Sequence, residues 1–537
     1  MAIDDIYTKG IASGWKVHDA SSFKDSRTLE ADVAIVGSGA GGATAAEILT
    51  QAGLKVLLLE EGALKTAASF KDMDESRAFA ELYWEGGGRA TSDGAIAVLQ
   101  GRSVGGTTTV NWTSSFATPP QTLKHWAEAH EVKGHGPEDM APWFEKMRRR
   151  LNIKPWALPP NANNNVLKNG CERLGWEWHV IPRNVNGCLN SGYCGMGCPV
   201  NAKQAMLVTT IPSALAQGAE LVHHLRVQKL EFDAGQAAVT GLSCVALDAP
   251  ARAPTGVTVK VKAKHYILAG GAINTPALLL RSQAPDPHGR VGLHTCIHPV
   301  PFTLAIMPDR VEPFYGAPQS IASDHFQWKD GATGPMGYKL EVAPLFPSIS
   351  SGLFGTIGKP LQEELAQLPH MNAMVALLRD GFVEGSPGGT VRIDEHGLPV
   401  LDYDMTPYVW DGVKRALLSM AEVQFAAGAR KVKAVHLDAS YHTSWSASRA
   451  EIEALDYAKF KVALFTAHLM GGCAMSENPK MGVVASDGRH HQLENLSIFD
   501  GSVFPTSIGA NPQLSIYGLT AQNATRLAEQ LRPRAVA

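Results

Sequence analysis

Residues 31–62 read ADVAIVGSGAGGATAAEILTQAGLKVLLLEEG, and this stretch decides the fold. Val33 to Val36 is an apolar, β-branched run of the buried-strand type. Gly37, Gly39 and Gly42 follow in G-x-G-x-x-G spacing, and an alanine-rich segment at 43–52 has helical character with Gly53 as its stop. A second apolar run, VLLLE, ends in Glu60. Glycines at this spacing are a weak signal alone. Strand, turn, helix, strand and terminal acid in that order predict a dinucleotide-binding βαβ unit. Without Cβ atoms the turn lets the backbone approach a pyrophosphate, which sits on the helix N-terminus, while Glu60 accepts hydrogen bonds from ribose hydroxyls. This motif does not separate FAD from NAD.

Working outward, GRSVGGTTTVNW (101–112) sets Gly105 beside Gly106, then three threonines and Asn111. Such a run offers close backbone approach with hydroxyl groups, as a loop over the second part of a large cofactor needs; alone it is equally a turn. HYILAGGAINTPALLLRS (265–282) is another strand, glycine turn and helix, with Asn274 or Thr275 as cap and Pro276 in the first turn. Between these units, ELVHHLRVQKLEF, AAVTGLSCVALD and VTVKVKAKHYIL alternate as antiparallel strands do. The expected fold is mixed α/β. A Rossmann-like cofactor domain is assembled from 28–115, 200–300 and 460–537, and a substrate or cap domain with an antiparallel sheet from 116–199 and 301–459.

The totals narrow the function classes. A chain of 537 residues is too long for one ordinary core, and 45% hydrophobic with 18% charged residues describes a globular protein. A net charge of −3 gives no basic footprint, so nucleic acid is not the expected partner. No apolar run is long enough for a transmembrane span, although peripheral membrane contact stays open. MAIDDIYTKGIASGW has neither a basic nor an apolar leader region, and seven cysteines are an odd, unevenly spread set. The expected location is cytoplasmic.

TAHLMGGCAM (466–475) holds one histidine, His468, which taken alone reads as a packed core residue. Together, GRSVGGTTTVN, GAINTPALLLRSQ and ENLSIFDGSVFPTSIGANPQLSIYGLTAQNATRLA resemble the glucose–methanol–choline (GMC) family of FAD-dependent oxidoreductases, from about residue 28 onward. Two positions depart from the family pattern: Phe116 lies one place late, and Gln283 stands where glycine is usual. The long-chain alcohol oxidases are the branch most resembled, the cholesterol oxidases next. The resemblance implies FAD as cofactor, with Val227 at the adenine and Asp500 and Gly501 along the flavin and pyrophosphate. It implies His468 and Asn511 over the reactive face of the flavin. An alcohol would lose its hydroxyl proton to His468 as general base and a hydride to flavin N5, with oxygen as final acceptor. Glu341, in YKLEVAPLFP, resembles a substrate-cavity glutamate of the cholesterol oxidases and joins His468 and Asn511 as a catalytic candidate; a solvent-facing strand residue is the plain alternative. His298, in CIHPVPF, reads as structural.

Two further stretches bear on the electron acceptor and the substrate. CLNSGYCGMGCPVNAK (188–203) places Cys188, Cys194 and Cys198 within 11 residues, a set able to ligate an iron–sulfur cluster, with plain thiols or one disulfide as the favoured alternative. No fourth ligand stands at zinc spacing, and no metal site is expected. A cluster would make the protein a dehydrogenase serving a quinone or cytochrome, through an electron-acceptor protein. LFPSISSGLFGTIGKP (345–360) reads as a lid over an apolar cavity, which favours a hydrophobic small-molecule alcohol over a sugar. A lyase, a flavin-retaining binding protein and a nicotinamide-dependent reductase are the competing classes.

Overall fold

A computed structural model describes residues 5–532; the last five positions of the 460–537 segment lie outside the described residues. The apolar run at 33–36 is the end of a strand, Arg27–Val36, at the centre of an eight-stranded sheet. It pairs in parallel with Val56–Leu59, whose four residues are all buried, and with the last part of Pro254–Leu268. Beyond Val56–Leu59 the sheet continues through Glu220–His223 to Lys16–Asp19, both parallel. On the other side, Pro254–Leu268 pairs antiparallel with Val239–Leu247, and that strand with Leu225–Phe232. The fifteen-residue strand Pro254–Leu268 is thus shared: its first half belongs to an antiparallel meander, while its end takes Leu496–Ile498 as a parallel neighbour. Both arrangements follow from the pattern read above, with β-branched runs buried on two faces in the parallel part and alternation in the meander.

The helix Ala40–Gln51 rises from the glycine turn and packs against Gln513–Leu531 and Thr210–Ala216. The cross-sheet contacts leave no room for side chains. A Cβ on Gly37 would stand 2.4 Å from the Ala269 carbonyl oxygen, one on Gly42 1.9 Å from that of Gly37, and one on Gly41 1.6 Å from that of Phe499. Gly37 also has φ +100°, the left-handed region that glycine tolerates. Helices Pro120–Ala129 and Pro137–Arg150 add Leu123, Trp126, Met140 and Phe144 to the same core.

A second sheet of six strands is antiparallel throughout: Lys431–Ala434, Phe302–Ile306, Met371–Leu378, Tyr338–Ala343, Ile321–Ser323 and His179–Val180. The helix Pro407–Ala426 covers one face, meeting Tyr338, Leu340, Val342, Met374, Ala376 and Leu378. The alternate residues, Val375 and Leu377 among them, form a separate apolar cluster with Val300, Phe302 and Phe465 on the opposite face. Glu341 has the register of that second set, directly across from Val375. The 345–360 stretch forms a short helix, Pro347–Phe354, followed by Lys359–Ala366. The first is held at its N-terminus by Glu75, whose carboxylate accepts from Ser348 and Ile349 backbone N–H at 2.8 and 2.9 Å. Among the described residues no helix is long and apolar enough to cross a membrane.

The turn's packing makes a direct prediction. Gly41→Ala must push the helix off the Phe499 carbonyl, and a destabilisation of about 1–3 kcal/mol is expected from such overpacking. An unchanged melting temperature would show that the helix start and the 499–501 segment are free to separate.

Candidate active site

A long cavity runs along the parallel strand ends, from Arg226 and Val227 past the Gly37–Gly41 turn and Glu60 to His468, Asn511 and Glu341. Its wall at the turn is backbone. Gly39 differs from its neighbours: a Cβ there would find nothing nearer than Gly106 Cα at 3.9 Å. Protein packing therefore demands glycine at 37, 41 and 42, whereas at 39 the open side faces the cavity and the N-terminus of Ala40–Gln51. That is where a pyrophosphate gains from close approach to backbone N–H groups and the helix dipole. The residues present fit a dinucleotide cofactor.

Glu60 stands at the end of Val56–Leu59, fully buried, with Oε1 accepting from Gly62 N–H at 2.8 Å and Oε2 from the Ser38 N–H at 3.1 Å and its hydroxyl at 2.5 Å. Burial pushes its carboxyl above the ordinary range, and these donors pull it back. Ser38 Oγ also accepts from Gly105 N–H at 3.0 Å, so one serine ties the acid to the second glycine loop. Asp500 is likewise saturated: Oδ2 accepts from Gly271 N–H and Thr275 Oγ1 at 2.8 and 2.6 Å, and Oδ1 from Ser502 N–H at 2.8 Å. It pins the 499–503 turn to the start of Gly271–Ser282. Asn111 donates to Gln513 Oε1 at 2.8 Å, linking the threonine loop to the C-terminal helix.

At the far end, backbone pairing brings two histidines together. Met470 N–H donates to Cys296 O and Cys296 N–H to Met470 O, at 2.9 and 2.7 Å, and Thr466 bonds to the Ile297 carbonyl. His298 has φ +46°, and Asp380 holds that loop by accepting from Ile297 and His298 N–H at 2.9 and 3.1 Å. The His298 and His468 Nδ1 atoms are 3.2 Å apart. On its other side His468 Nε2 lies 3.4 Å from Asn511 Nδ2, which donates to Glu341 Oε2 at 3.2 Å. Gln319 donates to the same oxygen at 2.6 Å and accepts from Ser114 Oγ at 2.7 Å. Glu341 Oε1 and Asn511 Oδ1 are buried with no hydrogen-bond partner among the described residues, as expected of groups awaiting a ligand.

The donors assign the tautomers. Gly509 N–H donates to His298 Nε2 at 3.2 Å, so neutral His298 carries its proton on Nδ1 and points it at His468 Nδ1. His468 then accepts at Nδ1 and carries its own proton on Nε2. This tautomer makes His468 Nε2–H and the second Asn511 amide hydrogen two donors side by side, giving up the 3.4 Å hydrogen bond that the opposite tautomer would form between them in favour of the Gly509–His298 one. Burial, and next the Lys339 charge, push His468 down to about 4, so the ring is neutral near pH 7. The ring forms part of the cavity wall, and its remaining exposure is to the cavity. His298 is driven well below its ordinary value, first by burial and then by His468. Burial raises Glu341 to about 7, with Lys339 opposing. Lys339 is itself buried, paired with Asp324 at 2.8 Å and 3.7 Å from the Phe116 ring centre.

Of the residues expected from sequence, Gly37, Gly39, Glu60, Gly106, Asn111, Val227, Asp500 and Gly501 line the cavity with His468, Asn511 and Glu341. Gly42 and Gly105 lie behind its wall and support it. Glu341 is fully buried, not solvent-facing. His298, read as structural, is in direct contact with His468. Gln319, Ser38 and Lys339 escaped sequence reading: an amide, a serine and a strand lysine carry no motif, and only their buried contacts distinguish them. Cys188, Cys194 and Cys198 form no disulfide and lie around a small separate cavity.

GMC oxidoreductase family profiles match residues 79–300 and 385–520, and an NAD(P)-binding Rossmann-like profile matches 35–65. An uncharacterized GMC-type oxidoreductase of Sinorhizobium fredii is 31% identical over 93% of this chain and 94% of its own length. A long-chain-alcohol oxidase of Arabidopsis thaliana is 28% identical over 94% of this chain and 68% of its own. Among solved structures, formate oxidase of Aspergillus oryzae, described for modification of its FAD, aligns with a TM-score of 0.69 at 14% identity, covering 95% of this chain and all of that one. Pyridoxine 4-oxidase of Mesorbium loti gives 0.66 at 15%, covering 92% and 98%.

The turn geometry predicts a clean separation of fold from cofactor. Gly39→Val should leave the apoprotein folded, because a Cβ there comes no nearer than 3.9 Å to any protein atom, yet abolish cofactor retention. A variant that purifies fully loaded would contradict the assigned pyrophosphate position.

Proposed function

The chain belongs to the GMC oxidoreductase family, and on that premise we propose that it oxidises a hydrophobic, long-chain primary alcohol to the aldehyde, with oxygen as electron acceptor. Its cofactor is FAD, and it acts on CH–OH donors. FAD is held along Gly37, Gly39, Glu60, Asn111, Val227, Asp500 and Gly501 in this reading. When bound it supplies the two-electron acceptor that amino-acid side chains lack. The unit that holds it is taken as 28–115, 200–300 and 460–537 and the substrate lobe as 116–199 and 301–459, with helices Pro120–Ala129 and Pro137–Arg150 of the latter packed on the first core.

His468 Nε2, Asn511 Nδ2 and the unpartnered Glu341 Oε1 converge in one cavity end. An alcohol oxygen placed there accepts from both donors, which favour its alkoxide form. The hydroxyl proton passes to Glu341, whose value near 7 suits proton acceptance at neutral pH. The resemblance places that proton on His468; the Gly509–His298 chain instead favours His468 as donor. Val300, Val375, Leu377 and Phe465 line the same end, giving an aliphatic chain an apolar wall. The Arabidopsis relative's name supports the same substrate class.

A second reading, a dehydrogenase serving a quinone or cytochrome, is favoured by the cysteine loop. Each sulfur accepts one hydrogen bond: Cys188 from Asn190 N–H at 3.4 Å, Cys194 from Arg183 Nη2 at 3.5 Å, Cys198 from Lys203 N–H at 3.4 Å. The buried Lys203 ammonium sits among them, donating to the Cys194 carbonyl at 2.6 Å. Such donors and cations suit thiolates holding an iron–sulfur cluster. Tyr83, which lines the cofactor cavity, donates to Gly195 O at 2.7 Å. Stoichiometric iron and acid-labile sulfide would establish this reading, and their absence with peroxide release would establish the oxidase.

Anaerobic bleaching of the yellow holoenzyme by a panel from short to long-chain alcohols and sterols tests the substrate class; fastest bleaching by short alcohols would overturn it. The bleaching rate should rise with pH through about 7 as Glu341 ionises and then level, and Glu341→Gln should flatten this profile. His468→Ala should slow bleaching by roughly two to four orders of magnitude with FAD still bound. His468→Gln restores an N–H at the same place and should recover much of that loss; equal losses in both variants would favour His468 as base.

A further inference from the structure

The outer edge of the first sheet carries a polar cluster that the redox site does not use. Strand Lys16–Asp19 runs parallel to Glu220–His223 with Asp19 opposite His223. His224 follows with φ +56°, and both histidines are buried. His224 Nδ1 lies 2.7 Å from Asp19 Oδ1 and 3.1 Å from His223 Nδ1, and His223 Nδ1 lies 3.9 Å from Asp19 Oδ1. The three potential ligand atoms therefore bound one small triangle.

Protons alone serve this triangle poorly. A hydrogen on His224 Nδ1 satisfies Asp19, and the His223 nitrogen is left to share it. A hydrogen on His223 Nδ1 satisfies His224, and the Asp19 carboxylate then faces a nitrogen lone pair at 2.7 Å. One cation at the centre answers all three atoms. Four-coordinate zinc with bonds of about 2.0–2.1 Å to N and O has ligand–ligand edges of about 3.3–3.4 Å. The observed separations of 2.7, 3.1 and 3.9 Å bracket that edge.

We propose that Asp19, His223 and His224 form a structural site for a divalent transition-metal ion of the zinc type. Two imidazoles and one carboxylate suit zinc and disfavour magnesium or calcium, which take oxygen sets. The Asp19 side chain is 44% exposed, so the fourth position opens to water. Ser21 N–H donates to Asp19 Oδ1 at 2.9 Å and fixes the carboxylate. The ion would fasten the N-terminal strand to the edge beside the cofactor strand. There Glu60 N–H bonds to Val222 O and Leu225 N–H to Glu60 O, both at 2.9 Å, so the metal would also brace the residue assigned to the ribose. No spacing rule finds this site, because its carboxylate stands some two hundred residues before its histidines.

The test uses FAD-loaded holoenzyme, dialysed against chelator and titrated with Zn2+ and separately with Co2+. Wild type should bind one equivalent of Zn2+ tightly with a rise in melting temperature, and Co2+ should give the intense visible bands of four-coordinate nitrogen–oxygen ligation. Asp19→Asn and His224→Ala should each lose that equivalent, the melting shift and the bands. Wild type that takes up no Zn2+ at tens of micromolar, or variants that keep the full equivalent, would overturn the proposal. Should His224→Ala fail to fold, the near-isosteric Asp19→Asn carries the comparison alone.

Discussion

The architecture depends on an exclusion: three backbone segments meet at the glycine turn with no space for a single Cβ between them. Gly37 rests on the Ala269 carbonyl, Gly41 on that of Phe499 and Gly42 on that of Gly37. The segments come from the start, the middle and the end of the chain. Because they must touch, the helix Ala40–Gln51, the start of Gly271–Ser282 and the 499–503 turn are fixed relative to one another. The Asp500 carboxylate then completes the junction with three hydrogen bonds. The next dozen residues carry Asn511 to the cavity end, at the foot of the C-terminal helix. The reactive end is thus positioned from the cofactor end by main-chain contact.

Placement is followed by electrostatics. A buried carboxylate, a buried ammonium and two buried imidazoles share one neighbourhood, an arrangement that costs more than a structural core would bear without pairing. Lys339 is neutralised by Asp324, and its charge still reaches Glu341 and His468. Burial dominates both, and it acts in opposite directions on an acid and a base: Glu341 is raised toward neutrality, His468 lowered away from it. Each is thereby moved away from the range in which its side chain ordinarily titrates.

The fold was largely legible in sequence because its determinants are local: β-branched runs, a fixed glycine spacing, alternation in the meander. The cavity-lining set around Gly39, Glu60 and Asp500 came from the same local signals joined to a family resemblance. Glu341 was ambiguous because YKLEVA alternates equally well toward solvent or cavity, and only pairing with Met371–Leu378 decides the face. The contact of His298 with His468 was not legible because the two lie 170 residues apart in sequence. Gln319, Ser38 and Lys339 were invisible since their importance is in what they touch. The packing of 120–150 with the first sheet's core was also beyond local pattern, because an amphipathic helix does not announce which layer it will cover.

The amide of Gly509 has a wider consequence. Its N–H sets the proton's position on His298, and through it on His468, yet it belongs to the main chain and leaves no mark in the letters of a catalytic motif. A homologue could keep His298, His468, Asn511 and Glu341 and still reverse the polarity of its histidine, merely by turning the peptide plane at 509. Enzymes that look identical by their active-site signature can therefore differ in which group receives the proton. The handedness of that relay is inherited from backbone conformation, and comparison by residue identity alone is blind to it.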